Sequence, residues 1–323
     1  MQHVRRLLAL ALIITLSASA VAQSYPAKPI TLVVGFPTGG GADTVARIVT
    51  NKMGRVLGQA IVIDNRPGAG TTIGSVLVAH AAPDGYTLLL GSSNLYGSDQ
   101  ILYRNVTYDG AKSFVPISRW SSAPMLLAVN KDFPANTAQE LIAFARQSPG
   151  KLSYASSGIG VATHLAALSF ARAAGISMLH VPFKGGAPAL LAVASGDVQL
   201  AFGTPPSVLP MAQGGKLRVL AVTSEARSPM FPDIPGMAEI GVKGYDQTFW
   251  FGLFGPAGLP TDIAQKLFDA SVIALDDPQV QAKLAKSGNE AKPSASLAEF
   301  REWAMAEGRK AKESILRHGV TME

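Results

Sequence analysis

The stretch Thr31–Val49, TLVVGFPTGGGADTVARIV, reads as a buried strand, a glycine-rich turn and the opening of a helix. Leu32-Val33-Val34 is a short apolar run, β-branched in its second and third places, and Val45, Ile48 and Val49 recur at helical spacing after Asp43. Between them stands Gly39-Gly40-Gly41. With no Cβ, these positions let the backbone come close to a ligand, and the first helical N–H groups face whatever sits above the end of the strand. Such groups favour negative charge, so the stretch reads as an anion socket.

Working outward, the same alternation continues. Gly58 stops the helix, Ala60–Ile63 makes a second strand, Asp64–Gly70 is rich in turn formers, Ile73–Ala81 is helical, and Tyr86–Leu90 is a third strand ending at Gly91-Ser92-Ser93. Strands alternating with helices across short loops imply a parallel sheet covered by helices, the α/β class. Phe114–Asn130 then carries two apolar runs with no helix between them, which reads as the crossing into a second lobe. Thr137-Ala138-Gln139-Glu140 is a capping-box pattern opening a helix there. The opening device recurs as the strand Leu152–Ser156, the turn Ser157-Gly158-Ile159-Gly160 and the helix Ala162–Ala174. It recurs again as Met178–Phe183, Lys184-Gly185-Gly186 and a helix through Leu190, Leu191 and Val193. Val198–Phe202 and Leu217–Val222 complete that sheet, and Phe249–Phe254 reads as the return crossing. Helices opening near Thr261, Pro278 and Ser296 are expected to cover the first sheet. The expected division is residues 23–121 with 252–323 in one lobe and 122–251 in the other, two lobes on two hinge strands that close on a ligand.

Ahead of all this, Arg5-Arg6, the apolar Leu7–Leu16 and the small residues Ala20-Val21-Ala22 form a secretory signal pattern, with cleavage expected after Ala22 and delivery to the periplasm. The apolar core is too short to span a membrane. The chain has no cysteine, which removes disulfides, thiolate chemistry, a lipidated cysteine and Cys-type metal sites. Its 323 residues exceed what one core usually serves. The net charge of +6 includes Arg5 and Arg6, and no block of Lys/Arg stands elsewhere, which excludes nucleic-acid binding and suits small anions. The chain has no G-x-S-x-G elbow, no H-E-x-x-H and no Walker sequence, and its five histidines lack ligand spacing. GFPTGGG is not a dinucleotide turn.

The combination YPAKPITLVVGFPTGGGADTVAR, DNRPGAGTTIG, APDGYTLLLGSS, KLSYASSGIGVATHL, HVPFKGGAPAL, LRVLAVTS and FWFGLFGPAGLP resembles, in order, the Bug family, the periplasmic solute-binding components of tripartite tricarboxylate transporters. The resemblance runs from about Tyr25 to the C-terminus. It implies a two-lobed type II periplasmic binding protein, each lobe a mostly parallel sheet flanked by helices, that captures a small carboxylate and delivers it to membrane transporter subunits. It also implies which loops hold the ligand. In this chain they are Phe36, Pro37, Thr38, Gly39, Gly40 and Gly41 after the first strand, and Ser156, Ser157, Gly158, Gly160, Val161 and Ala162 in the second lobe. Three positions depart from the family: glycine for a common proline at Gly35, valine for a hydroxyl residue at Val161, and glycine for an acid at Gly203. Without the acid and the hydroxyl, an amino-acid ligand is not expected, and an aromatic or longer aliphatic carboxylate is expected ahead of citrate.

Further candidates follow from position. Ser92 and Ser93 end a strand at the cleft edge, where such sheets bind ligands, and Gly203 and Thr204 end another. Lys184 either meets a distal carboxylate or is solvated. His164 reads as a pin for the second loop, bonding a nearby carbonyl. Asp43 reads as a helix-start residue bonding backbone N–H groups. Phe36 could stack on a ligand, and Trp250 is either hinge core or cleft wall. No cofactor or metal is expected, and the state expected is a monomer. A sensor for a signalling partner and a secreted α/β enzyme acting on carboxylates are the alternatives.

Overall fold

The computed structural model describes residues 25–104 and 106–320, so the expected leader, residues 1–22, lies outside the described residues. Ile30–Val34 forms β1, and all of it but Thr31 is buried. Gly41–Leu57 forms α1, whose face of Val45, Ala46, Val49 and Met53 packs into the core. The valines and the methionine each contribute about 1.5–3 kcal/mol on burial. Gly58 ends the helix in the left-handed conformation (φ 71°) that a residue without Cβ adopts freely. The chain continues through β2 (Ile61–Asn65), α2 (Thr72–Ala79), β3 (Thr87–Gly91), the short α3 (Asp99–Leu102) and the long β4 (Phe114–Pro124).

One residue later β5 (Leu126–Asn130) lies in a different sheet. The second lobe adds α4 (Ala138–Gln147), β6 (Ser153–Ser156), α5 (Ala162–Ala174), β7 (Leu179–Pro182), α6 (Gly186–Ser195), β8 (Leu200–Gly203), α7 (Pro205–Gln213) and β9 (Leu217–Val222). The return strand β10 (Thr248–Pro256) is followed by α8 (Thr261–Leu275), α9 (Pro278–Lys286), β11 (Glu290–Ala291) and α10 (Leu297–His318).

The first sheet has the order β11-β4-β10-β3-β1-β2 and the second β7-β6-β8-β5-β9. Each is parallel where the repeated strand–helix units lie and antiparallel where the crossing strands enter: β1 pairs parallel with β2 and β3, and β6 with β7 and β8, whereas β10 runs against β3 and β4 and β5 against β8 and β9. The first sheet holds β4 as far as Pro124 and β10 from Thr248, a few residues past the expected division.

The two crossings are tied together. Thr223, fully buried, accepts the Met125 N–H with its Oγ1 (2.6 Å) and donates that hydroxyl to the Gln247 carbonyl (2.5 Å). Its own N–H donates to Met125 O at 2.9 Å, and Gln247 N–H donates to Thr223 O at 2.9 Å. Both hinge segments therefore turn about one clasp. In the same region Trp250 packs its ring on Trp303 (5.0 Å) and Phe300 (5.9 Å) under α10 and also borders the space between the lobes, so it is hinge core and cleft wall at once.

Candidate functional site

The carboxyl ends of β1, β3, β6 and β8 point into one space between the lobes, with an empty volume of about 740 Å³. Four helix starts border it through Gly41 and Ala42 of α1, Ala162 and Thr163 of α5, Gly186 of α6, and Thr204 and Ser207 of α7. None of the four is capped by the side chain of its own N-cap residue, although the Gly41 N–H of α1 is taken by Ser207 Oγ of α7; α4, α9 and α10 are capped by Thr137, Asp277 and Ser296. The starts of α5 and α6 leave N–H groups for an anion, whereas α7 opens with Pro205-Pro206, which carry no N–H, and offers the Thr204 and Ser207 hydroxyls and the positive end of its dipole.

The first loop is held from behind by a charged brace. Asp43, 2% exposed, accepts the Gly39 N–H (3.0 Å), Arg47 Nε (2.8 Å) and Nη2 (3.0 Å), and Asn65 Nδ2 (3.1 Å). Asn65 Nδ2 also donates to Phe36 O (3.0 Å), and Thr38 Oγ1 bonds Asn65 Oδ1 at 3.1 Å. Burial pushes the Asp43 carboxyl up, but these hydrogen bonds, led by Arg47, outweigh it and hold the pKa below its ordinary value. Thr38 and Gly39 are thus bound into the brace and lie outside the cavity lining, while Phe36, Pro37, Gly40 and Gly41 are in it. The Phe36 ring stands edge-on to Phe251 at 6.2 Å.

The second loop is held by neutral rings. His164 Nδ1 accepts the Gly160 N–H at 3.0 Å, so the imidazole pins the loop through an amide donor and not, as expected from sequence, through a carbonyl. His164 lies flat on His180 (3.9 Å between centroids, 8° between planes), and His180 lies on Tyr154 at 4.9 Å. Ser156 Oγ lies 3.0 Å from Gly158 O and shares a hydrogen bond with His180 Nε2 at 2.6 Å. Burial pushes the His164 pKa down to about 3, helped by His180 and His318, and burial takes His180 down to about 4. Ser156, Gly158 and Gly160 therefore serve the pin and lie outside the cavity lining; Ser157, Val161 and Ala162 are in it. Ser157 N–H is itself taken by Thr163 Oγ1 at 3.0 Å.

Ser92 and Ser93 both border the cavity. The Ser92 hydroxyl donates to Asn94 Oδ1, and Asn94 Nδ2 donates to Thr71 Oγ1 (2.6 Å) and to Asp99 (3.0 Å to Oδ2). Asp99 is fully buried, and burial raises its pKa to about 7 against the pull of Tyr108, Asn94 and Ser98. Gly203 and Thr204 line the cavity as well. A Cβ at Gly203 would stand 2.5 Å from Val208 Cγ2 and 3.4 Å from Leu190 Cδ2, so an acidic side chain has no room there. Lys184 and Gly158 instead line a neighbouring cavity that shares Phe36 and Ser157 with the first.

Sequence reading missed Thr163, Leu190, Phe202, Ser207, Phe249 and Phe251 in the main lining. The fourth helix start had a local signal, Thr204-Pro205-Pro206 after a strand, since proline is favoured in the first helical turn. Among the described residues no charged side chain lines the main cavity, and no cluster of His, Asp or Glu is arranged to hold a metal.

Known proteins share this architecture. A UPF0065 protein from the tcbD–tcbE intergenic region of Pseudomonas sp. (strain P51) is 38% identical over 288 residues, covering 88% of this chain and 85% of that one. The solved structure of R. palustris Rpa4515 with adipate superposes with a TM-score of 0.88 at 33% identity, over 93% of this chain and 100% of that chain. MatC (Rpa3494) from Rhodopseudomonas palustris with bound malate gives 0.83 at 32% identity, over 90% and 100%. Residues 45–316 match the tripartite tricarboxylate transporter family receptor, and the chain belongs to that family.

Proposed function

We propose that the chain is an exported monomeric receptor that captures one small organic acid between its lobes in the periplasm and hands it to the membrane subunits of a tripartite tricarboxylate-type transporter. The observation that carries this is the cavity: the positive ends of four helices and a set of hydroxyls meet in a space walled by Phe36, Val161, Leu190, Phe202 and Phe251, with no charged side chain among the described lining residues. Each helix start contributes roughly 0.3–2 kcal/mol to a bound anion, and each charge-assisted hydrogen bond about 1.5–3 kcal/mol. Several such terms against the cost of association leave about −8 kcal/mol, a micromolar Kd. With no titratable side chain in the described lining to act as acid or base, the site binds without turning over its ligand.

The walls select the ligand class. Citrate would press additional charges against aromatic rings with no cation to meet them, and an amino acid's ammonium would find no carboxylate, because Leu190 and Val208 occupy the room that a side chain at Gly203 would need. An acid with an apolar body fits, and adipate, present in the solved Rpa4515, is of that kind. The far carboxylate of such a diacid would lie toward the neighbouring cavity and Lys184.

A thermal-shift panel on the chain from Gln23 onward, with adipate, benzoate, malate, citrate and aspartate, tests the reading, since a ligand of the native state raises Tm by mass action. Adipate or benzoate should give the largest rise. A rise with aspartate alone overturns the ligand class. A flat panel, with no organic acid released from the denatured protein in mass spectrometry, overturns the receptor reading.

A further inference from the structure

The first N–H of α1 does not face open space. Gly41 N–H donates at 3.1 Å to Ser207 Oγ, on α7 of the opposite lobe, and Ser207 Oγ lies 3.2 Å from Thr204 Oγ1 on the same helix start. A Cβ built on Gly41 would sit 2.2 Å from Thr204 Oγ1 and 3.0 Å from Thr204 Cβ. The seam is equally tight elsewhere. A Cβ on Gly185 would meet Pro37 Cδ at 2.5 Å, and one on Gly288 would meet Pro205 Cβ at 2.3 Å. Gly185 and Gly288 have positive φ, 134° and 78°, and need glycine for their own backbone. Gly41 does not, because it is an ordinary first-turn helical residue, and only the other lobe forbids it a side chain.

We propose that Gly41, Thr204 and Ser207 form a latch across the cleft that sets the closed state, with Gly41 required because closure brings Thr204 onto its α-carbon. The chemistry couples closure to grip. A serine hydroxyl can accept from the Gly41 N–H while its own proton is directed elsewhere. Ser207 and Thr204 both border the cavity, so once the lobes meet the Gly41 N–H occupies a lone pair of Ser207 Oγ and leaves the hydroxyl protons of this pair to a ligand. The latch rests on the receptor reading for the identity of what it encloses and on the seam geometry for everything else.

The absence of cysteine allows clean spin-label pairs, one on Lys112 and one on Lys151, both exposed and on opposite lobes. Interlobe distances are measured with and without adipate, together with adipate affinity by calorimetry. The wild type should show a short-distance population that adipate enlarges. G41A should lose that population and weaken adipate by about tenfold or more, because apparent affinity falls with the fraction able to close. S207A, which adds no bulk, should move both readouts the same way by a smaller factor. In G41A/T204G the atoms that the new methyl strikes are gone, glycine remains an acceptable helix cap, and the short population should return. A purely local defect at position 41 would not be rescued from the other lobe. A G41A distribution identical to wild type, or no rescue in the double variant, overturns the latch, as does a wild type that never shows the short population. If no acid binds but the short population and its rescue are seen, the latch stands and the carboxylate reading falls.

Discussion

The two loops that face each other across the cleft share one local design, a strand end, a small-residue turn and a helix start, yet they are braced by opposite chemistry. Behind the first stands an ionised carboxylate, Asp43, gathering the donors of Gly39, Asn65 and Arg47. Behind the second stands a stack of uncharged rings, with His164 accepting from Gly160 and His180 hydrogen-bonded to Ser156. A carboxylate brace needs its charge, and an imidazole brace needs to lack one. The socket is therefore symmetric in geometry and asymmetric in its response to acid.

The largest effect expected from this contrast is on pH dependence. His164 and His180 titrate at about 3 and about 4, below the ordinary value near 6.5, so their neutral forms favour the fold fully above that value. The advantage is lost as pH falls from 6.5 toward those values, at about 1.4 kcal/mol per unit for each ring, which gives about 2 kcal/mol each by pH 5. Asp43 has a lowered pKa and keeps its contribution throughout that window, losing it only below the unfolded carboxylate value near 4. Asp99 runs the other way, since its raised pKa of about 7 means that protonation relieves a buried charge as pH falls. Global stability therefore mixes the two signs. Hydrogen exchange at Gly160 separates them: it should accelerate between pH 6.5 and 5 beyond the intrinsic trend, while Gly39 should not. H164N keeps an acceptor for Gly160 and cannot titrate, so its pH profile of stability should be flatter on the acid side. Parallel profiles for wild type and H164N would remove the contrast.

Next in size is the carboxylate itself. D43A removes the acceptor of the Gly39 N–H and one of the two acceptors of the half-buried Asn65 amide, and Arg47, largely solvated, recovers water. Losing hydrogen bonds to a charged acceptor costs about 2–3 kcal/mol, measurable by urea unfolding at pH 7. D43N retains acceptor capacity and should cost about 1 kcal/mol. If both variants unfold with the wild type, the first loop does not depend on its brace.

What could be read beforehand divides along the same line. Local signals were legible: Thr137 and Ser296 accept from Glu140 N–H and Glu299 N–H as capping residues do, and the recurrence of strand, turn and helix located the facing loops. Asp43 as a binder of backbone N–H was legible because its partner Gly39 is four residues away. The histidine stack was not, because Tyr154, His164 and His180 come from β6, α5 and β7 and meet only through parallel pairing, in which Tyr154 is opposite His180. The same holds for Ser207, whose partner Gly41 is separated by 166 residues. Gly203 shows a further limit. Its glycine reads as the loss of an acid until Val208 and Leu190 are seen to fill the space. Sequence periodicity carries which face is buried, and it does not carry which loops face one another across a hinge.

The smallest effect discriminates most finely, because it compares two threonines at matching places. Thr44 Oγ1, in the first turn of α1, donates to Gly40 O (3.1 Å), a carbonyl that already receives the Thr44 N–H at 3.0 Å. Thr163 Oγ1, in the first turn of α5, accepts the Ser157 N–H at 3.0 Å and shares a proton with Ser157 Oγ at 2.7 Å. T44V removes a redundant bond and leaves no group without a partner, so it should cost a few tenths of a kcal/mol. T163V leaves a loop N–H without its acceptor at the cavity wall, so it should cost about 1–2 kcal/mol. The freed N–H then points where an anion can take it, and adipate should recover part of that loss in T163V but none in T44V. Equal costs in the two variants, with no difference in recovery, would mean that the second loop is held by its rings alone and that its main-chain donors do not depend on Thr163 for their aim.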